Sequence, residues 1–151
     1  WVIINLTIAL FMSIPAFNLY THGTQITVVH AMGTTIGINT MMVLAGAFYF
    51  IKPAFESLKA LKRMSIVFWI SQIALFLFLF TLSGMGIHRA LWQAGMTEGV
   101  FGQMMQNSRP WMIGFIITGT LLFVSLGSVV LYLLFYSFKG KVSFRLHKRD
   151  L

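Results

Sequence analysis

Four long apolar runs, almost free of charged residues, constrain this chain more than any other feature of its sequence. Of the 151 residues, 58% are hydrophobic and only 9% are charged, whereas soluble domains carry roughly 25% charged residues. A run of about 20 apolar residues crosses the hydrocarbon core of a bilayer, and core helices of soluble proteins rarely reach that length. The sequence therefore predicts an all-α, polytopic membrane protein in contact with lipid.

Proline and basic residues mark the ends of the predicted helices. Pro15 and Asn18 end the first helix, and Lys52 with Pro53 stops the second. Pro110 suits the first position of the last helix, where its missing N–H would have had no partner. The runs predict a single membrane-embedded portion with four transmembrane helices, at about 1–17, 24–51, 64–85 and 110–138, and a tail at 139–151. Residues 96–108 are predicted to form a surface loop or a short interfacial helix.

The chain opens with Trp1 inside an apolar run, without a positively charged leader or a cleavage site of small residues. We therefore expect that the protein continues upstream of Trp1. Cysteine is absent, which excludes disulfides, iron–sulfur clusters and thiolate metal sites within this portion.

The formal net charge of +8 indicates membrane topology rather than nucleic-acid binding, because the basic residues lie beside the predicted spans. Four spans place the 52–63 loop and the 139–151 tail on one side, with nine basic residues, and leave Arg89 and Arg109 on the other. Short basic loops stay in the cytoplasm. We expect a multi-pass protein of the inner (cytoplasmic) membrane, with a cytoplasmic C-terminus and an outward-facing 86–109 loop.

One ionisable side chain, His30, lies inside the second predicted helix, roughly 9 Å from its outer end. Such residues are costly in a membrane and suggest function by default; the alternative is a histidine that hydrogen-bonds to a neighbouring helix. Met32 points about 200° away from His30 on a helix, and both side chains can ligate haem iron. Gly33 and Gly37 form a GxxxG motif, which allows close approach by a helix or a flat macrocycle.

The other polar residues of the spans are predicted mainly to hydrogen-bond between helices, although those of the second helix would also suit ordered water near a haem. No acidic residue lies in a predicted span, so this portion offers no carboxylate relay for protons. The polar residues are Thr27, Thr34, Thr35, Asn39 and Thr40 in the second helix, and Ser71 and Gln72 in the third.

The run YTHGTQITVVH, from Tyr20 to His30, resembles the start of the tenth helix in the catalytic subunit of bacterial nitric oxide reductases, a branch of the haem–copper oxidase superfamily. In that family a His-x-His pair on this helix holds two haems, the first His at the high-spin haem and the second at the low-spin haem. The run GMGIHR, residues 84–89, is similar to the loop between helices eleven and twelve, whose basic residues contact haem propionates. The four predicted helices match the last four of the family's twelve-helix bundle, most closely at 20–39.

The resemblance implies an oxidoreductase of denitrification and the respiratory chain that holds two b-type haems. His30 takes the position of the high-spin haem ligand. Met32 stands where the family has its second His, so that either Met32 ligates the low-spin haem or it only packs and that haem is held otherwise. His22, His88 and Arg89 take positions near the propionates or the ligands of a bridging ion, where an exposed surface role is the alternative.

The resemblance also implies components outside this portion. In the family, three histidines and a glutamate hold a non-haem iron; they are expected upstream, so no catalytic residue is assigned here. The electron donor is a cytochrome c subunit or a quinol. Two other functions stay open: a relative that reduces oxygen or makes other products from nitric oxide, and a non-catalytic membrane subunit, with or without haem. Upstream metal ligands and the haem content discriminate between them.

Overall fold

A computed structural model describes residues 1–51 and 58–147, and for residues 139–147 it describes the backbone alone. The described part is helical and has no strand, so the all-α prediction is confirmed. The elements, in chain order, are α1 (Val2–Ser13), α2 (Pro15–Thr21), α3 (Gln25–Met32), a π-helix (Gly33–Thr40), α4 (Met41–Ile51), α5 (Leu58–Gln93), α6 (Phe101–Asn107) and α7 (Arg109–His147).

Three stretches of the described residues are long and apolar enough to cross a membrane, and α1 with α2 makes a fourth if the bent pair counts as one span. The three are Gln25–Ile51, Leu58–Gln93 and Arg109–Phe138. The first of them is built from α3, the π-helix and α4 without a break. The prediction of several helices that are long and apolar enough to span a membrane is confirmed.

The first apolar run is bent rather than continuous. α1 ends at Ser13, and the axis of α2 turns by 99° from that of α1. Pro15 occupies the first turn of α2 and Ile14 before it is extended, with φ −76° and ψ 118°. A proline disfavours the helical conformation in the preceding residue and cannot donate a backbone hydrogen bond. The helix predicted over 1–17 therefore divides at Ile14, directly before Pro15, instead of continuing to residue 17.

The helix α5 is longer than predicted at both ends. Lys59, Lys62 and Arg63 fall inside its first turns instead of in a loop, because α5 begins at Leu58. Lysine and arginine are good helix formers, and their long side chains extend from apolar surface to water. Three basic residues of the predicted loop and tail, Lys52, Lys148 and Arg149, lie outside the described residues.

The expectation of a loop that begins at residue 86 is wrong. Residues 84–89 are helical and belong to the last third of α5, which ends at Gln93. Gly84 and Gly86 allow close packing between helices. A Cβ at Gly84 would overlap the ring of Trp111, and one at Gly86 would lie 2.6 Å from the backbone nitrogen of Ile26. The contact at Gly86 places the start of α3 against the end of α5.

Two apolar clusters hold α5 between the Gln25–Ile51 span and α7. The first lies toward the start of α3, and the second toward the ends of α4 and α7. The buried members of the first cluster are Val29, Ala74, Leu75, Leu79, Leu82 and Leu122; those of the second are Leu44, Ala60, Met64, Val129 and Leu133.

Candidate functional site

His30 lies on α3 and is held by a side chain from the bent first helix. The Nδ1 atom of its imidazole is 3.1 Å from Oδ1 of Asn5. Asn5 is buried, with 6% of its surface exposed, and its amide also donates from Nδ2 to Oγ1 of Thr34 at 2.6 Å. The three side chains form one polar cluster between α1 and the span that carries His30.

The directions of these hydrogen bonds fix the tautomer of His30. The Thr34 hydroxyl donates its only proton to the backbone carbonyl of His30 at 3.0 Å, so its oxygen can only accept from Asn5. The Asn5 amide therefore turns its NH₂ toward Thr34 and its carbonyl oxygen toward His30. A neutral imidazole must then donate from Nδ1–H, and the lone pair is on Nε2. The described residues provide no hydrogen bond to Nε2.

The GxxxG motif brings α1 to this distance. A Cβ at Gly33 would lie 2.7 Å from Oδ1 of Asn5, and a Cβ at Gly37 would lie 3.2 Å from the ring of Trp1. Of the two partners predicted for this motif, a helix or a macrocycle, the structure places a helix here. Any larger residue at Gly33 would push against the side chain that orients His30.

Asn5 was not identified by sequence reasoning, although a signal was present. It is an amide inside an otherwise apolar run, and polar groups in a membrane usually have a partner or a function. Its partner is 25 residues away, across the bend at Ile14. Only the three-dimensional path of the chain brings the two side chains together.

Met32 lies on a different face of the span from the Asn5–His30 contact. Its side chain is partly buried and packs against the first apolar cluster, which contains residues of α5 and α7 such as Leu75 and Leu122. This contact corresponds to the packing role that the sequence left open for Met32.

A second polar link crosses the interior at Gln72 of α5. Its Oε1 accepts from the indole Nε1 of Trp1 at 2.7 Å, and its Nε2 donates to the sulfur of Met41 at 3.2 Å. The prediction that Gln72 bonds between helices is confirmed. Ser71 instead bonds within its own helix, to the carbonyl of Phe68 at 2.7 Å, which satisfies the hydroxyl without a partner helix.

His88 and Arg89 lie at the same end of the bundle as His30, because Gly86 contacts the start of α3. The Ser108 hydroxyl donates to the carbonyl of Met104 at 3.0 Å and accepts from Nδ1 of His88 at 2.8 Å. This bond ties α5 to the start of α7 and gives His88 a structural partner.

Three buried polar atoms have no hydrogen-bond partner among the described residues: Nε of Arg89 and Oε1 of Gln25 at this end of the bundle, and Oγ1 of Thr97 in the segment after α5. Buried polar groups are normally paired, so each of these atoms is a candidate to bind a partner outside the described residues. His22 is exposed and caps the end of α2, where its backbone N–H bonds to the carbonyl of Asn18.

Within the described residues, no three His, Cys, Asp or Glu side chains come together as a metal-binding group. A single imidazole is nevertheless sufficient as the protein ligand of a haem iron. Such a ligand typically donates its other ring N–H to a carbonyl or carboxylate, which fixes the ring. His30, with Nδ1–H on Asn5 and a lone pair on Nε2, has this donor arrangement.

The chain matches no protein-family model, no curated protein and no solved structure. The resemblance of residues 20–39 to nitric oxide reductases is therefore a hypothesis that depends on the residues themselves.

Proposed function

We propose that this chain is the C-terminal portion of the catalytic subunit of a membrane nitric oxide reductase, and that its own contribution is to hold and orient haem. The reaction joins two NO with two electrons and two protons to give N₂O and H₂O. A high-spin haem and a non-haem iron would provide the reaction site, and a low-spin haem would supply the electrons. In this proposal the ligands of the non-haem iron come from residues upstream of this portion.

One observation carries the proposal: the hydrogen-bonded chain Thr34–Asn5–His30 leaves Nε2 of His30 as the free lone pair. A neutral imidazole is the usual proximal ligand of haem iron. Asn5 would fix the orientation of the ring and increase the basicity of the ligand, as partners beyond the metal commonly do.

Arg89 would pair with a haem propionate at the same end of the bundle. Its Nε atom is buried without a partner in the described part of the chain, and arginine recognises carboxylates through two parallel N–H groups. His22, at the surface before α3, would lie near the same carboxylates. His88 contributes indirectly, since its bond to Ser108 holds the end of α5 against the start of α7.

When bound, a haem with one protein ligand supplies an iron position open to substrate. His30 would be the protein ligand of that haem, and Asn5 would hold its imidazole in one orientation. No acidic side chain of this portion lies within the apolar spans of the described residues. The described spans therefore offer no carboxylate relay for the protons of the proposed reaction.

Ligation of the low-spin haem by Met32 is a separate proposal, because the Met32 side chain already packs against the first apolar cluster. Its test is the optical charge-transfer band of a sulfur–iron bond in the oxidised protein. Absence of that band assigns Met32 to packing alone and leaves the role of His30 untouched.

The proposed location is the inner membrane of a bacterium, with the end of α7 in the cytoplasm and the ends of α2 and α5 facing outward. The electron donor would be a cytochrome c subunit or a quinol. Neither donor site is assigned to residues of this chain.

Activity in membranes tests the proposal. Cells that produce the complete protein with native His30, His30→Ala or His147→Ala are compared for anaerobic consumption of NO and formation of N₂O. We expect one N₂O for every two NO in the native protein and in His147→Ala, which changes the last residue of α7, a position with no assigned role. His30→Ala should lose both signals. Reduction of oxygen without N₂O formation would support the oxidase alternative, and haem without either activity would support a non-catalytic haem subunit.

A further inference from the structure

The least apolar of the three membrane spans is also the least buried. The span Gln25–Ile51 has a mean hydropathy of 1.5, against 2.2 for each of the other two. Only 6% of its apolar window is buried, compared with 28% for α5 and 17% for α7. Lipid favours the opposite arrangement, in which apolar surface faces outward and polar residues face protein. Some of this span's exposed surface is therefore built for a protein neighbour.

Asn39 and Thr35 identify the part of the surface concerned. Both residues are exposed, and the described residues provide no hydrogen bond to the Asn39 amide or to the Thr35 hydroxyl. Asn39 lies near the middle of the span, where lipid offers no hydrogen-bonding group and an unpaired amide is costly. Thr40, in contrast, satisfies its hydroxyl on the carbonyl of Thr35 at 2.8 Å.

Thr35 and Asn39 lie at one end of a groove between the Gln25–Ile51 span and α7. The walls of the groove are apolar, with Val43 and Ala47 on one side and Val130 and Leu133 on the other. We propose that this groove, which we call the Asn39 groove, binds a transmembrane helix that brings a Ser, Thr, Asn or Gln side chain to the level of Asn39. The proposal does not depend on haem binding.

The shape and chemistry of the Asn39 groove favour this occupant. A lipid acyl chain would fill the apolar walls but leave the Asn39 amide unpaired. A second copy of the chain in a twofold contact would place the same concave surface on both sides, and two grooves facing each other would leave a gap. A helix with apolar side chains and one polar side chain fits the walls and pairs the amide.

Photo-crosslinking in membranes of cells that make the complete protein tests the proposal. A photoreactive amino acid is placed at Val43, which is 70% exposed in the groove, or at Phe123, which is 79% exposed on α7 outside it. We expect Val43 to form an adduct with one transmembrane peptide from outside residues 1–151 that contains a polar side chain. Phe123 should form adducts with lipid.

The dependence on Asn39 separates specific docking from proximity. Asn39→Leu should lower the yield of the Val43 adduct roughly three- to tenfold, the range expected for one hydrogen bond between membrane helices, and Asn39→Gln should retain most of it. Thr120→Val is the matched control, since the exposed Thr120 already bonds its own helix at Ile116, 2.8 Å away. If Asn39→Leu does not accumulate, Thr35→Val replaces it with the same expectation.

Three results would overturn the proposal: adducts at Val43 with lipid alone, an adduct with residues 1–151 of a second copy, or a yield that Asn39→Leu and Thr35→Val leave unchanged.

Discussion

Gly33→Ala should destabilise the protein and disturb the orientation of His30, because the new methyl group would meet the atom that holds the imidazole. The added Cβ would lie 2.7 Å from Oδ1 of Asn5 and 3.3 Å from its Cγ. Ordinary C···O contacts are about 3.3–3.6 Å, so the oxygen would have to retreat by about 0.6 Å or more. Asn5 is buried and bonded at both ends of its amide, to His30 and Thr34, so it cannot turn away without breaking one of these bonds.

The expected change in the free energy of unfolding is the sum of two costs and one opposing gain. Overpacking in a filled interior costs about 1–3 kcal/mol, and a weakened hydrogen bond to His30 adds about 1 kcal/mol. The helical preference of alanine over glycine offsets up to about 1 kcal/mol. We expect a net loss of about 1–3 kcal/mol in the free energy of unfolding.

Gly46→Ala is the matched control on the same span, since a Cβ at Gly46 meets nothing within 4 Å. It should be neutral or stabilise by up to about 1 kcal/mol. Both variants are unfolded in mixed micelles of mild detergent and dodecyl sulfate, followed by tryptophan fluorescence. Equal stability of the two variants would refute the packing of Asn5 against Gly33.

Two further substitutions test the remaining polar contacts. Gln72→Leu removes the acceptor 2.7 Å from the Trp1 indole and should lower the free energy of unfolding by about 1 kcal/mol in the same micelle titration, because the indole N–H is left unpaired. Ser108→Ala removes the acceptor of His88 and should lower the free energy of unfolding by about 1–2 kcal/mol. The control Ser128→Ala, at an exposed hydroxyl that bonds its own helix, should lower it by less than about 0.5 kcal/mol. Equal losses for the two serines would contradict the hydrogen bond that connects α5 to the start of α7.

Local sequence signals predicted the three long spans and the effect of Pro15 on the first helix. Apolar length alone identified the three long spans, because a bilayer demands that length of any helix that crosses it. Pro15 signalled the end of α1, since proline acts on its neighbouring residue. The 99° turn that follows depends on where α2 packs, which no local pattern encodes.

The errors arose where long-range packing decides the local structure. The third helix was predicted to end near residue 85, but Gly84 and Gly86 allow close contact with Trp111 and Ile26, and α5 continues to Gln93. The π-helix at Gly33–Thr40 had no signal in composition or periodicity. Its last residue, Thr40, donates from its side-chain hydroxyl to the carbonyl of Thr35, five positions back.

The candidate site was half visible in the sequence. His30 stood out as an ionisable residue at membrane depth, which is costly without a purpose. Its partner Asn5 did not, because the pairing depends on the bend at Ile14 and on the absence of a Cβ at Gly33. The tautomer of His30, on which ligand competence depends, follows only from the direction of the bonds through Asn5 and Thr34.

The haem content of the purified complete protein tests the central claim most directly. A pyridine haemochrome assay with optical spectra is applied to the native protein, to His30→Ala and to Asn5→Ala. The account predicts b-type haem in the native protein, loss of its high-spin component in His30→Ala, and a roughly 10- to 100-fold weaker hold on that haem in Asn5→Ala. A native protein without haem, or a His30→Ala variant with the full complement, would contradict it.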